Sequence, residues 1–186
     1  MSNGIRPLQL AFYKGMGGKH GAVQFNVQPP HYYVAGTKLK NYEGKWIPSS
    51  WLQDNPNLKP EDLVSREGCL FLTITSATGK NIYDWEQKIT VALSVTDMAQ
   101  MLTVIQGQQP EMKLVHDPGA GTESKGKIHK VLNISSPQGH RAGVILNATE
   151  KSPDGTFRSH TVPLSGAETL MLGVCLRHEI PKALGW

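Results

Sequence analysis

Apolar and polar residues alternate along most of the chain, which predicts strands gathered in two groups, each followed by a helix. Residues 8–13 read as a short strand. Residues 22–28 set Val23, Phe25 and Val27 against Gln24, Asn26 and Gln28, a strand with one wet face. Between them, residues 14–21 hold four glycines among Lys14, Met16, Lys19 and His20, which is turn material. Apolar runs at 69–76 and 82–93, joined by Ala-Thr-Gly-Lys-Asn, predict a hairpin. Met98, Met101, Leu102 and Ile105 then recur at helical spacing. Ser94 or Thr96 is placed to cap that helix, Asp97 lies in its first turn, and Gly107 ends it.

The second half repeats the order. Strands are predicted at 111–116, 127–135, 141–149 and 156–163, with Ile128, Val131 or Leu132, and Ile134 as the apolar positions of the second, and Asp117-Pro118-Gly119 forming a turn. A helix follows at 165–178. It opens on a capping box, Ser165 with Glu168, and Pro181 is expected to stop it. Strands that precede a helix in each half predict an α+β fold of antiparallel sheets with segregated helices, a strand-strand-strand-strand-helix repeat. The second helix is apolar nearly all round, through Leu170, Met171, Leu172, Val174, Cys175 and Leu176. Such a helix is buried on every side, and in a chain this small copies of the same chain would bury it, so a homo-oligomer is expected.

One stretch breaks the pattern. From Pro29 to Pro60 the chain is rich in proline and carries Tyr32, Tyr33, Trp46 and Trp51 without a sustained period. It is read as an irregular insertion at about 29–64 in a single domain spanning 1–186, with its aromatic residues packed elsewhere, on a neighbouring subunit for example.

A length of 186 residues fits one domain, and a hydrophobic share of 39% is enough for a core. The formal net charge of +4 permits an anionic partner without requiring one. No apolar run reaches membrane-spanning length, and the N-terminus has neither the apolar core of a secretory signal nor an Arg- and Ser-rich transit helix. A cytoplasmic location in a bacterial or phage-infected cell is therefore expected, or an organelle if a leader has been removed. Cys69 and Cys175 sit in apolar surroundings and read as buried thiols, not as a disulfide or a zinc site. The histidines show no metal-ligand spacing, so neither metal nor cofactor is expected. His116-Asp117 is not read as a catalytic pair, because neighbours on a strand point to opposite faces, and Asp117 before Pro118 is a turn residue. The chain is not read as an enzyme.

Two constellations suit nucleic acid. On one continuous strand Tyr83 and Trp85 would share a face, either as a stacking platform for bases or as core. Lys125, Lys127 and Lys130, with His129, form the densest basic patch, suited to phosphate neutralisation or to an ordinary solvated strand end. Lys14 and Lys19 lie where glycines let backbone amides approach phosphate, although no P-loop is present. Lys80 and Lys88 flank the Tyr-Asp-Trp segment, and Arg141 and Arg158 fall in the later strands. All four could line an edge groove.

The ordered set of motifs resembles the Whirly family. It comprises Ser65-Arg66-Glu67-Gly68, Tyr83-Asp84-Trp85, Leu93-Ser94-Val95-Thr96 opening a helix, His116-Asp117-Pro118, Gly126-Lys127-Ile128-His129-Lys130-Val131-Leu132, and the closing Pro181-Lys182-Ala183-Leu184-Gly185-Trp186. The resemblance implies two four-stranded antiparallel sheets packed crosswise with two helices, and a homotetramer built around the helices. It also implies sequence-independent binding of single-stranded DNA along sheet edges, in replication, recombination, repair or transcription. The trypanosomatid mitochondrial guide-RNA-binding proteins share that fold, so RNA binding or annealing is the alternative. A structural oligomer without nucleic-acid binding is a further one. Where the family carries Lys-Gly-Lys-Ala-Ala-Leu, a motif of higher-order assembly, this chain has His20-Gly21-Ala22-Val23-Gln24-Phe25. The Pro29–Pro60 stretch is also longer than the family's equivalent.

Overall fold

The computed structural model describes residues 9–15, 20–28, 31–34, 47–48, 63–66, 68–117, 126, 128–137 and 143–184. The first sheet contains β1 (Gln9–Tyr13), β2 (Gly21–Gln28), β6 (Cys69–Gly79), β7 (Ile82–Tyr83) and β8 (Ile89–Leu93). β2 occupies one edge of β6 from Cys69 to Ser76, so β7 and β8 must share the other edge. The sheet therefore has four antiparallel positions, β1-β2-β6-β7/β8. The second sheet is a four-stranded antiparallel meander of β9 (Glu111–His116), β10 (His129–Ser135), β11 (Gly143–Lys151) and β12 (Phe157–Ser165). α1 (Val95–Ile105) follows the first sheet, and α2 (Gly166–Ala183) follows the second.

Period-two burial builds the core. Leu70, Leu72 and Ile74 of β6, Ile89, Val91 and Leu93 of β8, Leu132 and Ile134 of β10, and Val162 and Leu164 of β12 are all buried. At the open choice in β10, Leu132 is the inward residue. β12 packs on β6 and β2, which joins the two sheets.

Both helices begin with complete capping boxes, Ser94 with Asp97 and Ser165 with Glu168. α1 buries Met98, Met101 and Val104, so its inward stripe is centred nearer Val104 than the sequence spacing suggested. It closes at Gln106, with Gly107 at φ 71°, a conformation natural to glycine.

Four expectations are corrected. The strand predicted at 82–93 is interrupted by a 3₁₀ turn, Trp85–Gln87. Asp84 caps that turn, its side chain accepting the Gln87 N–H at 3.3 Å and so offering the backbone a local partner in place of the ladder. Pro181 does not stop α2, which runs on to Ala183. Proline's fixed φ is helical, so the helix continues for two residues beyond it at the cost of the one bond that Pro181 cannot donate. Within the Pro29–Pro60 stretch, β3 (His31–Val34) and β4 (Ile47–Pro48) form a small antiparallel sheet with β5 (Leu63–Arg66), in the order β4-β3-β5. Tyr32 and Tyr33 thus lie on a strand. The remainder of that stretch, with Trp46 and Trp51, lies outside the described residues. Finally, Cys69 and Cys175 are half-buried, since they stand at the first residue of β6 and on the flank of α2.

α2 is not enclosed within one chain. It buries Thr169, Leu172, Gly173 and Leu176 inward, while Leu170, Met171 and Val174 are 69%, 53% and 58% exposed.

Candidate nucleic-acid interface

At one end of the first sheet, β1 runs into the glycine-rich turn and β6 turns into β7. There Tyr13, the last residue of β1, meets Tyr83 of β7 with ring centroids 5.3 Å apart and planes tilted by 55°. Tyr83 in turn meets Trp85, at 6.4 Å and 52°. The rings span the sheet because the residues between them are small. Tyr13 pairs with Ala22, and Ala22 with Thr75. Tyr13 is 53% exposed, its hydroxyl accepting from Gln24 Nε2 at 3.3 Å, whereas Tyr83 and Trp85 are half-buried.

Gly15, just after β1, lies against this array. Lys14 N–H donates to the Gly21 carbonyl at 2.9 Å. A Cβ on Gly15 would stand 2.9 Å from both the Tyr83 hydroxyl and the Asn81 backbone nitrogen, so only glycine permits this approach. The Tyr83–Trp85 segment is fixed from below. Thr75 Oγ1 donates to the Asp84 carbonyl, and Asp84 N–H donates to the Ser76 carbonyl at 3.1 Å.

The cations divide into two kinds. Lys88, directly after the 3₁₀ turn, is exposed, and so is Lys80 in the β6–β7 hairpin. Lys14 is engaged. Its ammonium pairs with Glu168, and both side chains are about three-quarters covered. Burial opposes the charge on Glu168, but the Lys14 ammonium and the Ser165 N–H and hydroxyl outweigh it and hold the carboxyl below the ordinary glutamate range. Lys130 is engaged as well. It lies 3.1 Å from Glu150 Oε2 and donates to the Thr90 carbonyl at 2.9 Å. Arg158 pairs with the other oxygen of Glu150 and reaches Gln87 Oε1 at 3.5 Å. Lys19, Lys125, Lys127 and Arg141 lie outside the described residues.

Of the residues singled out in the sequence, the structure brings Tyr83 and Trp85 together, with Lys88 close after them, and it adds Tyr13, which the sequence reading does not single out. The signal available was a tyrosine ending a strand at the lip of a glycine-rich turn. Its proximity to Tyr83 is tertiary and is not encoded locally. Asp117 serves as a turn residue, its carboxylate accepting the Gly126 N–H at 2.8 Å. Among the described residues, no helix is long and apolar enough to cross a membrane.

A pair of four-position antiparallel sheets, each followed by a helix, with an aromatic array at a sheet end, defines an α+β module of the class expected from the motifs. The family model described as "Whirly transcription factor" matches residues 53–174, about two thirds of the chain, and the chain belongs to the Whirly family. It is 27% identical over 141 residues to "Single-stranded DNA-binding protein WHY2, mitochondrial" of Arabidopsis thaliana, covering 75% of this chain and 56% of that protein. It is 28% identical over 137 residues to "Single-stranded DNA-binding protein WHY1, chloroplastic" of Solanum tuberosum, covering 71% and 49%. The matches span about half the length of these relatives. The crystal structure of WHY1 from Arabidopsis thaliana superposes with a TM-score of 0.72 at 23% identity, covering 96% of this chain and 86% of that one, a likeness of fold. These matches overturn the expectation of a bacterial or phage-infected cytoplasm, since the relatives are plant proteins named for the mitochondrion and the chloroplast.

Proposed function

We propose that this chain binds single-stranded DNA by stacking unpaired bases on Tyr13, Tyr83 and Trp85. The observation that carries this reading is the contiguous ring array, partly open to solvent at the end of the first sheet. Every base has a π face, so stacking of this kind is tolerant of sequence and contributes about 1–3 kcal/mol per base. Duplex DNA offers no free face. The printed names of the relatives support the same reading. Lys88 beside the array supplies a phosphate contact, and Lys19, Lys125, Lys127 and Arg141 are further candidates by their place in the sequence. Lys14 and Lys130 reach phosphate only by leaving their carboxylate partners.

The same reading includes a homotetramer assembled through α2. Leu170, Met171 and Val174 form an exposed apolar ridge. Beside it an apolar groove of about 280 Å³ runs between α2 and the first sheet, lined by Leu10, Phe25, Leu70, Leu172 and Cys175 among others. A second copy of the chain is the partner with matching chemistry.

Fluorescence anisotropy of a labelled oligomer of about 30 nucleotides across a salt series tests the function. Salt-sensitive binding to single-stranded DNA over its duplex is expected. Tyr13→Ala or Trp85→Ala should weaken it without altering the salt dependence. Equal binding of duplex would overturn the stacking reading, and tighter binding of the matching RNA would change the substrate.

A further inference from the structure

We propose that His160 is a positioning residue for the nucleic-acid interface: from the second sheet it fixes the turn that presents Trp85 to the bases, a role that rests on the stacking reading above.

On β12 the residues Arg158, His160, Val162 and Leu164 share the face turned toward the first sheet, and His160, Val162 and Leu164 are buried on it. Alternation calls for an apolar residue at 160, and the chain places an imidazole there with 7% of its surface exposed. A buried polar ring is costly unless its nitrogens are satisfied. Both are. Nε2 lies 2.6 Å from the Gln87 carbonyl oxygen. A carbonyl only accepts, so Nε2 carries the proton and donates. Nδ1 lies 2.7 Å from Ser76 Oγ, a hydroxyl that can donate to it or accept from it.

These two partners bracket the aromatic segment. Ser76 stands beneath its entry, where its own carbonyl accepts the Asp84 N–H at 3.1 Å. Gln87 is the last residue of the 3₁₀ turn that begins at Trp85. The turn is thus pinned at its entry by β6 and at its exit by His160. A three-residue turn with one internal backbone bond, Gln87 N–H to the Asp84 carbonyl at 3.2 Å, holds its shape weakly by itself. Leucine would fill the same space in the core. The imidazole adds a fixed donor at the Gln87 carbonyl, and through it a fixed direction for the indole. His160 need not touch nucleic acid to do this.

A double-mutant cycle separates this role from general stability. Affinity for single-stranded DNA and its salt slope are measured for the full chain with His160→Leu, His160→Gln, Trp85→Ala and the Leu/Ala double variant. His160→Leu should weaken binding about fivefold with an unchanged slope, and should have no further effect once Trp85 is alanine. His160→Gln should restore affinity to within about twofold, because its amide presents a donor and an acceptor like the ring. Should His160→Leu fail to fold, Ser76→Ala, which leaves the ring in place but frees Nδ1, carries the same cycle with a smaller loss. Losses that add in the double variant, or no loss at all while Trp85→Ala weakens binding, would overturn the proposal alone. A silent Trp85→Ala would overturn the stacking reading and this proposal with it.

Discussion

Lys130 and Glu150 stand directly opposite each other on β10 and β11, and Lys130 Nζ approaches Glu150 Oε2 to 3.1 Å. The register extends this pair into a row across the whole second sheet, His116–Lys130–Glu150–Arg158. Glu150, with 8% of its side chain exposed, is held by cations on both sides. The row closes the inner face of the sheet where the apolar layers of Leu132, Leu146 and Val162 end.

Glu150→Gln should therefore destabilise the fold by about 3 kcal/mol, because it leaves two partly buried cations without their anion. Lys130→Met should lower stability while leaving the salt slope of DNA binding unchanged. Urea unfolding and anisotropy distinguish the two effects. A flattened slope in Lys130→Met would return that lysine to the phosphate contacts.

Lys88 presents the opposite case, exposed and adjacent to the ring array. Lys88→Ala should lower the magnitude of the slope of log K against log salt by about 0.7, the increment for one phosphate on a single strand. Thermal unfolding should be unaffected.

The Glu168 carboxyl is held below its ordinary value, so the unfolded chain takes up that proton first on acidification. Its contribution to stability is complete above the ordinary glutamate value of 4.5 and is lost as pH falls through the lower folded value. Glu168→Gln should flatten the acid limb of a stability profile taken by urea unfolding between about pH 3 and about pH 6. An unchanged limb would mean that the pairing with Lys14 does not persist in solution.

Leu170→Glu, or Val174→Glu, places a charge on the exposed ridge of α2 without touching the inward residues Leu172 and Leu176. Sedimentation velocity should show the assembly falling to smaller species while circular dichroism stays native. A wild-type chain that sediments as a monomer would refute assembly through α2.

Much of this architecture is legible in the sequence. Period two predicts β2, β6 and the second-sheet meander, because each buries one face, and Ser165 with Glu168 marks the start of α2. The misreadings have local causes. Asp84 lies in an aromatic run that reads as strand, and only its bond to the Gln87 N–H reveals the turn. Lys130 lies close in sequence to Lys125 and Lys127, yet it shares parity with Leu132 and Ile134 and so belongs to the inner face. Parity also places His160 inside. Its partners Ser76 and Gln87, more than seventy positions away, are fixed only by sheet packing. Tyr13 and Tyr83 meet for the same non-local reason.

The close seating of Gly15 over Tyr83 has a thermodynamic consequence. Gly15 seats against the tyrosine hydroxyl and the Asn81 backbone, so a side chain at position 15 would displace the ring at the centre of the array. Under the proposed stacking, an array held in place this way leaves most of the ordering entropy of the encounter to the DNA strand. Gly15→Ala would move part of that ordering back onto the protein, slowing capture of every sequence alike.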